Sequence, residues 1–295
     1  MNFHYVEGRK LLTVLFIGLF ALGTAFIAGC KKSDSNPVVT GQTVITTDDA
    51  ADVVSDAIAS NNGGAMDQVN DVFEIAGGVG VGVETLGKTS VDSTFWSKSF
   101  DNTTTQWTMN LYKQMSGLLY YGIWKREYQY QFIANGKAQE FRAPTGGSVA
   151  DSILHQIIQS GCSGYFLTPR LTHHLISLSA KWVASNTNTD TVTINGTYTR
   201  SGVDTITSVA RKGRVLVNSL SLTFKNVKGP RGLRLIRSEK TSGEIDGILI
   251  ATVTVPGNAP FTITKTFTII LSGGSATYTI DTTPYVRDLA TGDPI

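Results

Sequence analysis

The chain has 295 residues, with 25 Lys and Arg against 23 Asp and Glu and two cysteines, Cys30 and Cys162. A formal net charge of +2 leaves no electrostatic footprint for nucleic acid, and two cysteines exclude a disulfide-dense scaffold. The length is enough for one sizeable core or two small ones. In chain order, the first feature is an apolar run, Leu11 to Ile27, that comes after Arg9 and Lys10 and ends in Ile27-Ala28-Gly29-Cys30. A basic end that stays in the cytoplasm, a segment that partitions into lipid and small residues after it are the physical requirements of an export signal.

Ile27-Ala28-Gly29-Cys30 resembles the lipobox of bacterial lipoproteins. The resemblance implies cleavage after residue 29, acylation of Cys30 by chains such as palmitate, and a membrane held as partner through that lipid. Acyl chains contribute about 0.8 kcal/mol per buried methylene, so several on one cysteine anchor a protein permanently. In enteric lipoproteins Asp after the cysteine favours inner-membrane retention; Lys31 here implies the outer membrane, with the facing side left open. The alternative is an uncleaved anchor at the short limit for spanning a bilayer, which Gly18, Gly23 and the position of the cysteine disfavour. The resemblance covers the signal alone, residues 1–29 and Cys30. With lipid on Cys30, Cys162 is the single thiol of the mature chain.

Residues 30–46 are polar, with Ser33, Ser35, Asn36, Pro37 and Gly41, and read as a lipidated flexible tether. Residues 47–89 read as a helical hairpin and a glycine-rich connector. Ala50, Val53, Val54, Ala57 and Ile58 form one helical stripe, ended by Asn61-Asn62-Gly63-Gly64; Val69, Val72, Phe73 and Ala76 form a second, stopped by Gly77-Gly78. Gly82-Val83-Glu84-Thr85-Leu86-Gly87-Lys88-Thr89 resembles the phosphate-binding loop of P-loop nucleotide hydrolases. The next residues, Ser90 to Thr105, lack a helical stripe, and no strand and helix alternation surrounds the motif, so the segment reads as a connector and no cofactor is expected.

Residues 90–295 read as an antiparallel β-rich domain, so the fold class is mainly β, with the sheet forming a sandwich, barrel or half-barrel beside the N-terminal helical hairpin. Two-residue turns are expected at Asn135-Gly136, leading to a strand through Phe141, and at Asn195-Gly196. Further strands are expected at 174–184, 214–226, 247–255, 261–271 and 275–281. Phe261 to Ile269 alternates apolar side chains with threonine, which predicts one buried and one solvated face. Val149, Ile153, Ile157 and Ile158 predict a helix over 147–160.

Four groups of residues are candidates for a site. Trp124, Tyr128, Tyr130 and Phe132 share one face of a strand and read as core or as the lining of a ligand cavity. Asp151 and His155, four apart, would meet on the polar side of the expected helix. His173 and His174 on a strand would point to opposite faces, with His174 sharing a face with Leu178 and Trp182, so they cannot grip one ion. Cys162 in Ser160-Gly161-Cys162-Ser163-Gly164 lacks the fixed base that a nucleophile needs. No catalytic or metal residue is expected, although chemical roles for His155, Cys162, His173 and His174 stay open. The leading expectation is a non-catalytic outer-membrane lipoprotein with an envelope binding or structural role. The alternative is a carrier holding a lipid or other apolar ligand in a curved sheet, and an exported hydrolase ranks below both. A large apolar cavity would favour the carrier, and a filled core with an exposed aromatic patch the binding module.

Overall fold

The computed structural model describes residues 47–78, 91–117, 119–208, 213–232 and 240–295, with side chains described from residue 96 onward in the first strand. The phosphate-loop-like segment and the expected signal and tether, residues 1–46, lie outside the described residues. Among the described residues two helices come first, α1 (Thr47–Ile58) and α2 (Ala65–Gly77), joined by a short 3-10 turn at Ser60–Asn62. Gly63 adopts φ +66° where the chain reverses, and a Cβ on Gly64 would lie 2.5 Å from the Ala57 carbonyl oxygen. The tight αα-hairpin therefore depends on both glycines.

The remaining elements are strands: β1 (Val91–Asp101), β2 (Gln106–Ser116), β3 (Tyr121–Ala134), β4 (Lys137–Gln139), β5 (Ser152–Ile157), β6 (Ser163–Leu167), β7 (Leu171–Ser185), β8 (Thr191–Ile206), β9 (Val215–Pro230), β10 (Ser242–Thr254), β11 (Phe261–Ser272), β12 (Ser275–Ile280) and β13 (Thr283–Asp288). Among the described residues they form one sheet in the order β1-β2-β3-β5-β7-β8-β9-β10-β11-β12-β13, with β4 beside β3 and β6 between β3 and β7. All pairings are antiparallel. The sheet is a partial ring with β1 and β13 at its ends, and the two helices pack against it. Residues of both helices and of the inward strand faces join in one hydrophobic core, from Val53 and Phe73 to Tyr128, Trp182, Leu249 and Tyr278.

Alternation sets the two faces of the sheet. In β11, Phe267, Ile269 and Leu271 are buried while Thr262, Thr264 and Thr266 are exposed. Outward hydroxyls pair across strands, Ser177 with Ser201 at 2.6 Å and Ser179 with Thr199 at 2.8 Å. The stripe on β3 points inward: Trp124, Tyr128, Tyr130 and Phe132 are all buried, opposite exposed Lys125 and partly exposed Glu127 and Gln129.

Four local expectations are corrected. Residues 147–160 are not helical: Ile153, His155 and Ile157 alternate inward along β5, and a 3-10 turn, Gln159–Gly161, comes after it. Positions four apart share a face in a strand as well as in a helix, so the spacing of Ile153 and Ile157 fits both. Asp151 and His155 accordingly do not pair; Asp151 accepts hydrogen bonds from the Ser152 hydroxyl and the Asn135 amide, while His155 is in the core. Beyond the Asn135-Gly136 turn, which is present, the return strand is only β4, and Phe141 lies outside it, exposed. Asn195-Gly196 is not a turn, because β8 runs straight through it. The two residues sit at a bulge against β9, where the Asn195 side chain accepts the Asn226 amide at 2.8 Å. A Cβ on Gly196 would lie 2.1 Å from the Lys181 carbonyl oxygen, so close approach of β7 demands the glycine.

The inward stripe has a measurable weight in stability. Tyr130 packs edge-on to Phe132 and stacks with Trp107. Tyr130→Ala should lower unfolding free energy by about 3–5 kcal/mol, measured by chemical denaturation; a loss under about 1 kcal/mol would mean that the ring is not a core element.

Candidate functional site

The concave side of the sheet is occupied by the helices, and its polar chemistry is ionic. α1 carries Asp48, Asp49, Asp52 and Asp56 and α2 carries Asp67, Asp71 and Glu74. A carboxylate in a water-poor core must be paired or neutralised. Inward-facing cations on the strands meet them. Lys113 on β2, with no exposed surface, places Nζ 3.0 Å from both Asp67 and Asp71. Arg126 on β3 donates from Nη1 to Asp67 at 2.5 Å and from Nη2 to the Gly63 carbonyl, and the Tyr128 hydroxyl donates to Asp71 at 2.5 Å. Burial works against the charge on Arg126, but Tyr128, Asp67 and Asp71 outweigh it and hold the guanidinium protonated; burial and Asp71 push the Tyr128 hydroxyl well above its ordinary range.

A second set closes the other end. Arg170, before β7, contacts Asp56 and lies 2.5 Å from Asp293, while Arg287 on β13 lies 3.3 Å from Asp52 and Arg214 contacts Asp49. Asp56 is pushed up to about 7, because its burial outweighs Arg170. The C-terminal residues fold back onto the outer edge of β13 through an Arg287 to Pro294 bridge, so Arg170 ties α1 to that strap.

The histidines and the cysteine have separate surroundings. His155 lies between the rings of Tyr128 and Trp182, at 5.0 and 5.6 Å, and neither ring nitrogen has a hydrogen-bond partner. The partly buried Cys162 thiol donates to the Ile158 carbonyl oxygen at 3.3 Å, and burial raises its pKa. His173 and His174 do point to opposite faces, but with the faces exchanged: His173 is buried and His174 exposed. A bulge between Leu175 and Ser177 leaves Ile176 exposed and shifts the phase, so that Leu178 and Trp182 still face inward.

His173 belongs to a buried polar cluster. Its Nδ1 is 2.7 Å from Asp204 Oδ1 and 3.1 Å from Arg200 Nη2, and Asn218 donates to Asp204 Oδ2 at 2.6 Å. Burial would raise the Asp204 pKa, but His173, Arg200 and Asn218 outweigh it and hold the carboxyl below its ordinary range; burial and Arg200 lower that of His173. The ring is stacked on Phe166 and is beside a small cavity of about 20 Å³ that Trp124, Arg126 and Arg200 also line. Room for one water or ion is too little for a lipid or a sugar.

Among the described residues the exposed Trp and Phe side chains are Phe141, beyond β4, and Trp96 on β1. Trp96, Lys98 and Phe100 alternate on one face of β1, opposite Leu111, Met109 and Trp107 of β2. Trp96 is 45% exposed. Lys98 Nζ stands 5.9 Å from the Trp96 ring and 4.6 Å from the Trp107 ring, and Phe100 lies 5.0 Å from Trp107. Trp107 is fixed by its indole N–H, donated to the Glu140 carbonyl at 2.7 Å.

Sequence reasoning passed over Lys113, Arg126, Arg200 and Asp204, and over the β1 patch. Arg126 stands in phase with Trp124 and Tyr128, and Asp67 and Asp71 are four apart; strand parity and helix spacing together were the available signal. No protein-family model matches the chain, and no curated protein or solved structure matches it either.

The buried charged and titratable groups can be tested by substitution. Lys113→Met leaves Asp67 and Asp71 short of a cation and should cost about 3–5 kcal/mol of stability by denaturant titration. For His155, burial lowers the pKa from 6.5 to about 4, so between those values the unfolded chain binds a proton that the folded chain does not. Its contribution is therefore fully present above about pH 6.5 and is lost as pH falls. His155→Phe keeps a ring between Tyr128 and Trp182 and should remove on the order of 2–3 kcal/mol of stability loss between pH 7 and pH 4; an unchanged acid limb would place the titration elsewhere.

Proposed function

We propose that the chain is a non-catalytic outer-membrane lipoprotein, held by lipid on Cys30, whose β-domain binds a component of the cell envelope. The observation that carries this reading is the aromatic and lysine patch of Trp96, Lys98, Phe100 and Trp107 beside a core shared by the helices and the inward strand faces. Flat indole faces beside an ammonium suit the C–H faces and hydroxyls of a sugar ring, so the favoured component is an envelope polysaccharide. Trp is also the residue type most often dominant in interface energetics. The carrier reading is the weaker one, since α1 and α2 occupy the side of the sheet where an apolar ligand would lie, and every residue of α1 from Asp49 to Ile58 is buried there.

The reading is tested in two parts. Cys30→Ser should move the protein from the membrane pellet to the soluble fraction after a carbonate wash; retention in the pellet would mean that the apolar segment is an uncleaved anchor. The released full-length protein should co-sediment with purified cell-wall polysaccharide, and Trp96→Ala should weaken that binding more than tenfold with its melting temperature unchanged within a few degrees. Binding that survives the substitution would remove the patch from the argument.

A further inference from the structure

The cavity beside His173 is too small for an organic ligand but is lined by groups that call for an occupant. Trp124, Arg126, His173 and Arg200 are 6%, 2%, 2% and 4% exposed. Trp124 Nε1, Arg200 Nε and His173 Nε2 are buried nitrogens without a hydrogen-bond partner, and all three residues line the same space of about 20 Å³. An indole N–H and a guanidinium N–H are donors only, so the occupant is an acceptor. The volume limits it to one atom of water or halide size.

His173 decides which. Its Nδ1 has a carboxylate oxygen of Asp204 at 2.7 Å and Arg200 Nη2 at 3.1 Å; the shorter contact, to an anionic acceptor, places a hydrogen on Nδ1. Nε2 is then a lone pair in the neutral ring and a third donor in the protonated one. The ring is held against rotation by Phe166 and by Gly202, where a Cβ would lie 2.3 Å from His173 Cε1. The charged groups around it are Asp204 and Arg200 on β8, Arg126 on β3 with Asp67, Asp71 and Lys113 behind it, and Asp56 on α1 paired with Arg170; His174 faces the other way. A halide entering beside the buried Asp204 carboxylate would add a second buried negative charge next to it. A proton on His173 offsets that charge and makes Nε2 a third donor.

We propose that this cavity is a proton-linked halide site, in which one halide ion enters together with one proton taken up by His173. The halide is held by Trp124 Nε1, Arg200 Nε and His173 Nε2, and Asp204 keeps the opposite edge of the imidazolium satisfied. Because burial and Arg200 lower the pKa of the free ring, uptake strengthens as pH falls below neutrality. Above the pKa of the free ring, apparent halide affinity should weaken about tenfold per pH unit, the slope for one linked proton.

Crystals of the full chain grown in bromide at pH 5 and at pH 8 test this directly by anomalous scattering. The expected result is a bromide peak among the three nitrogens at pH 5 that is absent or much weaker at pH 8. In solution, bromide should raise the melting temperature at pH 5 above that in gluconate of equal ionic strength. Trp124→Phe, which keeps an aromatic ring and removes one donor, should abolish that difference. A cavity containing water alone at pH 5, equal bromide occupancy at the two pH values, or an undiminished bromide effect in a folded Trp124→Phe protein would each overturn the proposal. The crystallographic arm uses the unsubstituted chain and holds whether or not the variant folds.

Discussion

The acidic helices and the basic residues among the inward strand positions must be brought together, and the rest of the structure depends on that neutralisation. Asp67 and Asp71 on one helix have no exposed surface to speak of, and Lys113 and Arg126 on two neighbouring strands are equally buried. Neither set is tolerable alone away from water, where an unpaired charge costs several kcal/mol even after relaxation. Apolar packing of Val69, Val72 and Phe73 brings the second helix to the sheet, but it is non-directional. The pairs are directional: Lys113 and Arg126 each have to reach a carboxylate one helical turn from the other, which fixes the helix along its axis and about it. Asp49, Asp52 and Asp56 do the same for the first helix through Arg214, Arg287 and Arg170.

That arrangement governs what the curved sheet can offer. A sheet of this curvature with an empty inner face would be a cradle for an apolar ligand. Here the two helices are the occupant, drawn in by apolar stripes and locked by charge. The outward face is largely hydroxyl and threonine along β8 and β11. At the β1 end, on the same face as the buried Met109 and Leu111, the Trp96 ring meets solvent beside Lys98. At the other end the outer edge of β13 is covered by the chain's own C-terminal residues. Such covering protects an edge from pairing with another chain.

Legibility in the sequence tracked the strength of the local pattern. The two helical stripes, the strands β7 and β9 to β12 and the inward stripe on β3 were readable, because a period of 3.6 or 2 over about ten residues has few alternative explanations. Ile153 and Ile157 misled because a spacing of four belongs to both periods. Asn195-Gly196 misled because the dipeptide that favours a turn also favours a bulge, and only the approach of the Lys181 carbonyl distinguishes them. The histidine pair was assigned to opposite faces correctly and to the wrong ones, since a one-residue bulge at Ile176 reverses parity without leaving a sequence mark of its own.

By itself the sequence determined most of the division into helices and strands and a predominantly antiparallel sheet with one apolar and one hydroxyl face, and it carries an apolar run whose end, Ile27-Ala28-Gly29-Cys30, resembles a lipobox. Each of these rests on interactions between residues close along the chain or on composition, and so is written locally. Tertiary structure alone decided that the strands make one partial ring, that its concavity is filled by the chain's own helices, and that Lys113, Arg126, Arg200 and Asp204 are interior. Those outcomes join residues tens to hundreds of positions apart, such as Lys113 with Asp67 and Arg287 with Asp52. Long-range charge matching has no period, and it becomes visible only when the chain is folded.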